Sequence, residues 1–398
     1  MTPIRLLTFS TLFPNARQPN HGIFVENRLR HLLATGEATA TVLAPVPYFP
    51  SAAPVFGHWA TYAGVPRQER RHGIGIAHPR YPVIPRVGEA LAPFLLAAAS
   101  RAALRRMAAA GLAFDLIDAH YVYPDGVAAI RLGAAFRRPV VITARGSDVT
   151  QLPDHAIPRR LIAAALRRAD ALIAVSSALG ERLVELGADR AKVTVLRNGV
   201  DAAQFAPVDP EAARAALGLD ATPTLISVGG LVARKGHDRT IAAMSLLPGM
   251  RLLIAGEGEE RGRLEAEIAR RGLGDRVQLL GARPHADLPR YYSAADAMVL
   301  ASSREGWANV LLESMACGTP VVASPIPGNP EVVRARAAGV IMPENTPEGI
   351  AAGVRDLLAD PPDRAATRAY AERFGWEETS AGQLAVFRRV LERASRRS

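Results

Sequence analysis

The sequence predicts an α/β protein built from two doubly wound, Rossmann-like domains, and three observations carry that expectation. Short β-branched runs alternate with longer Ala/Leu/Arg-rich stretches along the whole chain, as parallel α/β layers require. The length, 398 residues, exceeds one ordinary domain, and 49% hydrophobic content can fill two cores. The rhythm breaks once, at Arg197-Asn198-Gly199-Val200-Asp201, with Pro207 and Pro210 following, a turn and linker signal.

In the first half, strands are expected at residues 4–10, 40–44, 115–119, 140–144, 171–175 and 193–196. Helices are expected at 24–33, about 90–109, 127–136, 159–168 and 178–186. A second strand series follows at 224–228, 251–255, 277–280, 297–301, 321–323 and 339–342. This gives a first domain over 1–200 and a second over 201–375. The tail, 376–398, is amphipathic through Leu384, Val386, Phe387, Val390 and Leu391, and is expected to cross back as a helix onto the first domain. Ligands of such sheets bind beyond the carboxyl ends of the strands, here in a cleft that the two domains face.

Composition narrows the function. The single cysteine, Cys317, rules out a disulfide framework and a cysteine-based zinc site. No run reaches the length of about 18 apolar residues that spans a bilayer. Residues 1–10 read as a buried first strand, not a signal peptide. The expected location is cytoplasmic, with the inner face of the cytoplasmic membrane as a contact. The net charge is +10, and its arginines cluster as Arg101, Arg105, Arg106 and as Arg159, Arg160, Arg167, Arg168. Aromatic interleaving is missing, so nucleic acid is not an expected partner. Solvated helix faces and contact with an anionic membrane both remain open. Only Lys192 and Lys235 among the 48 basic residues are lysines, a hint that a compact ammonium is wanted at each. Residues 45–66 carry no Asp, Glu, Lys or Arg but hold Tyr48, Phe49, Phe56, Trp59 and Tyr62. They fit either an irregular loop packed on its own aromatics or a lip touching a bilayer interface.

Three turns carry the chemistry. The first, Val228-Gly229-Gly230-Leu231-Val232-Ala233-Arg234-Lys235-Gly236, follows a strand and opens a helix near His237. Its glycines let backbone approach a diphosphate, the helix start favours negative charge, and Arg234 and Lys235 add cations. It is neither a dinucleotide fingerprint nor a P-loop. The second runs from Glu305 through Gly306 and Asn309 to Glu313, eight positions on. Glu313, on the helix, can accept two hydroxyl hydrogen bonds from a ribose diol. Glu305, at the strand end, would sit by the sugar ring, with amides between them aimed at the diphosphate. The third is Ala144-Arg145-Gly146-Ser147-Asp148, beside Asp118-Ala119-His120-Tyr121. His120, Arg145, Ser147 and Asp148, on adjacent strand ends, could line the facing wall of the cleft.

On these residues the chain resembles family 4 glycosyltransferases of the GT-B fold, in the bacterial exopolysaccharide or teichuronic-acid-type branch. The family's Glu-x7-Glu pair matches Glu305 and Glu313. Its Gly-x-Pro-Val-Val run matches Gly318 to Val322, with Gly328 and Glu331 following. Asn198-Gly199-Val200-Asp201 matches the interdomain turn, and Val228 to Gly236 the phosphate turn. Phe13-Pro14, His21-Gly22-Ile23-Phe24-Val25-Glu26-Asn27 and Tyr123-Pro124-Asp125-Gly126 look like the same branch. Two positions depart from the family pattern: Gly230 stands where many members have arginine, and Arg145 where many have a histidine that contacts the donor sugar.

The resemblance implies a retaining transfer of a hexose-type sugar from a nucleotide diphosphate donor, favouring UDP, to a hydroxyl of a glycan or lipid-linked acceptor. Attack would be front-face, with the departing phosphate taking the acceptor proton. The implied catalytic set is Lys235, Arg234, Glu305, His120 and Arg145. The donor-binding set is Gly22, Gly229, Gly230, Glu305, Gly306, Trp307, Ala308, Asn309, Val310 and Glu313, with Ser147 and Asp148 on the acceptor side. No Asp-x-Asp occurs, so no metal and no cofactor beyond the donor co-substrate is expected. The alternatives are a sugar-nucleotide epimerase of the same fold, which would need no acceptor, and a non-catalytic two-domain sugar-binding protein.

Overall fold

The computed structural model describes residues 2–83 and 88–396, which divide into two compact units. One comprises Met1–Arg197 with Glu377–Ser398, the other Asn198–Trp376.

The first unit is built on an eight-stranded sheet. In spatial order its strands are Val193–Val195, Ala171–Ala174, Val140–Ala144, Leu116–His120, Ile4–Phe9, Ala38–Leu43, Ile74–Ala77 and Gln68–Arg71. All neighbours are parallel except the last pair, which is antiparallel. Leu116–His120 and Val140–Ala144 are buried at every position, as strands covered on both faces are, and the first carries two buried polar residues, Asp118 and His120. Strand order reverses at Ile4–Phe9, which lies between Ala38–Leu43 and Leu116–His120. That reversal opens a crevice beyond Phe9 and His120. The C-terminal helix, Trp376–Ser395, brings Leu384, Val386, Phe387 and Val390 into the same core as Ile4, Leu6, Val25 and Leu29.

The second unit holds a six-stranded, all-parallel sheet. Its strands run Val277–Gly281, Arg251–Ala255, Thr224–Val228, Ala297–Leu300, Val321–Ala323, Gly339–Ile341. Numbered in chain order this is 3-2-1-4-5-6, the doubly wound dinucleotide-fold order, with its switch point between Thr224–Val228 and Ala297–Leu300. Pro210 is not in an irregular linker. It opens the helix Pro210–Ala216, whose Asp209 cap accepts from the Ala212 amide at 2.8 Å.

The hairpin Gln68–Arg71/Ile74–Ala77 lies outside the sequence-based expectation. Its first strand, Gln-Glu-Arg-Arg, has no apolar alternation because it is the charged edge of the sheet. His72 and Gly73, both with positive φ, make its two-residue turn. Residues 45–66 are also more ordered than a plain loop. They contain a short strand, Val46–Pro47, and a helix, His58–Ala63, with Phe49 packed on Phe56 and Trp59 at 5.2 and 5.7 Å.

Candidate active site

The second unit's site forms at its switch point. The turn after Thr224–Val228 carries Gly229 and Gly230, then a 3-10 turn, Ala233–Lys235, then the helix His237–Ala243. Gly236 caps that helix at φ 68°, where a Cβ would lie 2.1 Å from the Ala301 carbonyl oxygen. Only glycine lets the two strand ends approach this closely. At Gly230 a Cβ would meet nothing nearer than the Glu257 oxygen at 3.7 Å, so sterics do not require glycine there.

The close approach pairs the two turns. Lys235 Nζ donates to Glu305 Oε1 at 2.6 Å, and Ser302 Oγ donates to the same oxygen at 2.7 Å. Arg234 lies 3.9 Å from the other oxygen. Burial opposes the Glu305 charge, but Lys235, Ser302 and Arg234 outweigh it and hold the carboxyl below its usual range. His237, buried and next to Lys235, is pushed down to about 4 and is neutral at ordinary pH.

Glu313 lies in the helix Asn309–Ala316. Its oxygens face His285 Nε2 at 3.2 Å and the Tyr292 hydroxyl at 3.3 Å. Burial disfavours charge on His285, yet Glu313 prevails and raises its pKa. Gln204 Nε2 lies 2.8 Å from His285 Nδ1, and the Phe205 ring packs edge-on at 4.9 Å. Between the two glutamates, Trp307 and Ala308 are buried, and Asn309 Oδ1 accepts from Asn198 at 3.2 Å. Val310 is half-buried, and Gly306 is buried. The turn is therefore held at both ends by carboxylates, each restrained by neutral or cationic donors. Cys317 is buried, with its thiol pushed up to about 12, and is inert.

The first unit brings His120 and Arg145 into contact and buries Asp148. His120 is 1% exposed, with Nε2 3.1 Å from Asp118 Oδ2 and Nδ1 2.6 Å from Arg145 Nη2. A guanidinium only donates, so Nδ1 accepts and the proton sits on Nε2. Burial and Arg145 push the His120 pKa down, which keeps the ring neutral. With both nitrogens engaged, His120 orients the Arg145 guanidinium. Arg145 is 8% exposed, packs 5.4 Å over the Phe24 ring, and is pushed down to about 9 by burial and by Arg28.

Asp148 is fully buried and accepts from the Gly146, Val122 and Arg145 amides at 2.7, 2.7 and 3.1 Å. It builds the turn that carries Arg145. Ser147, half-exposed, pairs its hydroxyl with Tyr121 at 2.5 Å. Gly22 caps the helix Ile23–Ala34 at φ 68°, where a Cβ would lie 2.3 Å from the Leu12 oxygen. Asp125 clamps the same loop through the Thr11 amide at 2.6 Å and hydroxyl at 2.9 Å. Lys192, the other lysine, is explained by capping. Its Nζ donates to the Arg167 and Ala169 carbonyls, both at 2.9 Å, at the end of the helix Ala156–Arg168.

His285, Tyr292 and Ser302 beside the two glutamates, and Gln383, whose Nε2 donates to Asp118 Oδ2 at 3.1 Å, are supporting residues that sequence reasoning missed. His285 and Tyr292 lie 28 and 21 positions before Glu313, with no local motif to flag them. Among the described residues, no group of three or more His, Cys, Asp or Glu side chains could hold a metal ion. No described helix is long and apolar enough to cross a membrane.

Two family models match the chain: Glycosyltransferase Family 4 over residues 55–204 and Glycosyl transferases group 1 over residues 209–374. The D-inositol 3-phosphate glycosyltransferase of Mycolicibacterium vanbaalenii is 32% identical over 311 residues, 70% of this chain and 67% of that protein. The chain belongs to the family 4 glycosyltransferases. The Segniliparus rotundus enzyme of the same name is 40% identical over 217 residues, 51% of this chain but only 48% of that protein. The chain thus spans about half the length of that relative. Among solved structures, sucrose-phosphate synthase from Thermosynechococcus elongatus superposes with a TM-score of 0.82 at 23% identity, covering 98% of this chain and 99% of that one. Anabaena HepE in complex with UDP superposes with a TM-score of 0.72 at 21% identity, covering 96% and 99%. These likenesses identify the fold as GT-B, two Rossmann-like domains of parallel sheet. For this family 4 glycosyltransferase, the exopolysaccharide or teichuronic-acid branch is not singled out by any of these relatives.

Proposed function

We propose that this glycosyltransferase moves a hexose-type sugar from a UDP-sugar to an acceptor hydroxyl with retention of configuration. The observation that carries the reading is the paired grip at the switch point, Lys235–Glu305 on one side and Glu313 with His285 and Tyr292 on the other. Glu313, held in place by His285 and Tyr292, suits a ribose diol. The amides opening the helix at Asn309, with Gly229 and Gly230, suit the diphosphate. Lys235 and Arg234 neutralise charge as it grows on the departing group. The new bond joins the acceptor oxygen to the anomeric carbon, the bond to the diphosphate breaks, and a diphosphate oxygen takes the acceptor proton. UDP is favoured because structural neighbours are complexes with UDP and with UDP-glucose.

The acceptor reading is a glycan or lipid-linked hydroxyl of cell-surface polysaccharide synthesis. The relatives named D-inositol 3-phosphate glycosyltransferase support a phosphorylated polyol as the second reading. An anionic bilayer is the proposed partner of residues 45–66. Tyr48, Val55 and Phe56 are exposed there, no acid occurs in the segment, and Arg17, bound to the Gly64 carbonyl, borders it.

The test is a thermal-shift panel of UDP-, GDP- and ADP-sugars, followed by product analysis with inositol 3-phosphate and with lipid-linked acceptors. A true donor at 100 times its Kd stabilises by about 2.7 kcal/mol. No shift with any nucleotide sugar would sink the reading. Conversion of the donor without an acceptor into an epimer would replace it. Vesicle flotation of V55S/F56S protein checks the membrane partner, and unchanged recovery would remove it.

A further inference from the structure

The net charge of +10 has a location. Residues 90–109, 127–138 and 156–168 hold ten arginines and no Asp, Glu or Lys. Set those ten aside and the chain has 38 basic and 38 acidic residues. The whole excess therefore sits on three helices of the first unit: Gly88–Ala109, Val127–Phe136 with Arg137 and Arg138 just beyond it, and Ala156–Arg168. Successive parallel crossovers, from Leu116–His120 to Val140–Ala144 to Ala171–Ala174, step in one direction, which puts the second and third helices on the same side of the sheet. The first helix packs on both. All ten side chains are exposed, and among the described residues none of them forms an ion pair.

Two ordinary explanations fall short. Helix ends attract cations, and Arg105-Arg106, Arg137-Arg138 and Arg167-Arg168 each stand where a helix ends. The dipole there amounts to about half a unit charge, whereas each end carries two guanidiniums. An arginine-rich composition would leave cations unmatched everywhere, yet the second unit matches its own. Around the helix Arg261–Arg270, Arg261, Arg263, Arg270 and Arg271 pair with Glu257, Glu260, Glu265 and Glu267. In the first unit the strands that follow start in register, Ile117 beside Val140 and Val141 beside Ala171. The three Arg-Arg pairs therefore line one edge.

We propose that this side of the first unit is a docking surface for the phosphodiester headgroups of an anionic bilayer. A guanidinium offers two parallel donors to phosphate oxygens. Leu91 and Ile157 are exposed in the first turns of two of the helices, which suits the apolar layer beneath the headgroups. No ring on these segments is free to stack a base, because Phe94 lies under Arg131 at 4.8 Å and Phe136 packs on Phe114 at 6.0 Å. The first helix also packs on Arg80–Tyr81, the strand that pairs with Val46–Pro47, so the surface adjoins residues 45–66. The proposal rests on the bilayer reading of that segment and deepens it, but with different residues, so the two can fail separately.

The test uses the full-length protein and vesicles of equal parts phosphatidylglycerol and phosphatidylcholine. Wild type should bind these vesicles, ignore pure phosphatidylcholine, and be released as salt rises, because the attraction is screened within about 10 Å at 0.1 M. Near an anionic surface each arginine strengthens binding about fivefold. With one contact per pair, R105Q/R106Q and R167Q/R168Q should each weaken binding about fivefold, and the four substitutions together about 25-fold. R261Q/R263Q/R270Q/R271Q removes the same charge from the second unit and should bind about as wild type does. Wild-type binding in R105Q/R106Q/R167Q/R168Q, or equal losses in the two quadruple variants, would overturn the proposal, the latter by reducing the effect to net charge. Loss in R105Q/R106Q/R167Q/R168Q with V55S/F56S unaffected supports this surface and refutes the role of residues 45–66. The reverse refutes this surface alone. Double-stranded RNA that competes the protein off the vesicles would overturn the bilayer as its occupant.

Discussion

Replacing Lys235 by alanine tests the pairing of the two turns in the second unit. Lys235 and Glu305 side chains are 13% and 9% exposed, and their charges meet at 2.6 Å. Removing one partner of a buried pair leaves the other charge desolvated, at a cost of about 3–5 kcal/mol. Ser302 still donates to Glu305 and Arg234 remains 3.9 Å away, so the lower end, about 3 kcal/mol, is expected. With a urea slope of about 3 kcal/mol per M, the unfolding midpoint of this unit should drop by about 1 M. Neutralising the orphan in K235A/E305Q should recover more than half of that loss. Tryptophan fluorescence in urea reports the transition through Trp307, which is buried in this unit. A midpoint within about 0.2 M of wild type in K235A, or a double variant less stable than the single, would refute the reasoning.

Other outcomes follow from the same geometry. Asp148→Ala orphans three buried amides and should cost about 3 kcal/mol in thermal or chemical unfolding, with Asp148→Asn recovering part of it. Gly236→Ala forces a Cβ against the Ala301 oxygen at positive φ and should cost at least about 1–2 kcal/mol, read as a lower melting temperature. The His285 pKa is raised by Glu313, so its contribution to stability is fully present below the ordinary imidazole pKa of about 6.5 and is lost as pH rises through the folded value. The melting temperature of wild type relative to H285Q should therefore be highest near pH 5.5–6 and shrink toward pH 8.5, and a pH-independent difference would contradict that linkage.

Much of the scaffold was legible because parallel strands buried on both faces read as short, largely apolar runs rich in Val, Ile and Leu. Val140–Ala144, Thr224–Val228 and Arg251–Ala255 are such runs, broken only by Thr143, Thr224, Ser227 and Arg251, and they fold where the pattern places them. Gln68–Arg71 was not legible, since an edge strand needs no apolar face and its charges discourage further pairing. The candidate site was partly legible. The spacing of Glu305 and Glu313 across a strand, turn and helix brings both to one switch point, but what restrains them arrives from elsewhere. Ser302 is close in sequence and looks like any loop serine, while His285 and Tyr292 come from the preceding helical segment. His120 and Asp148 stood out as polar residues at a strand end and a turn, but their partners did not: Arg145 meets His120 from 25 positions away, and the Val122 amide meets Asp148 from 26. Gln383 could not have been singled out, because its partners lie 355 and 265 positions away.

The most direct measurement is calorimetric titration of UDP into wild-type protein and into Glu313→Ala, which removes the carboxylate proposed to take the ribose diol. The expected result is saturable binding to wild type, weakened at least tenfold in E313A, which is about 1.4 kcal/mol. Equal affinity in the two proteins, or no binding of UDP, GDP or ADP to either, would contradict the assignment of this turn as a nucleotide-sugar grip.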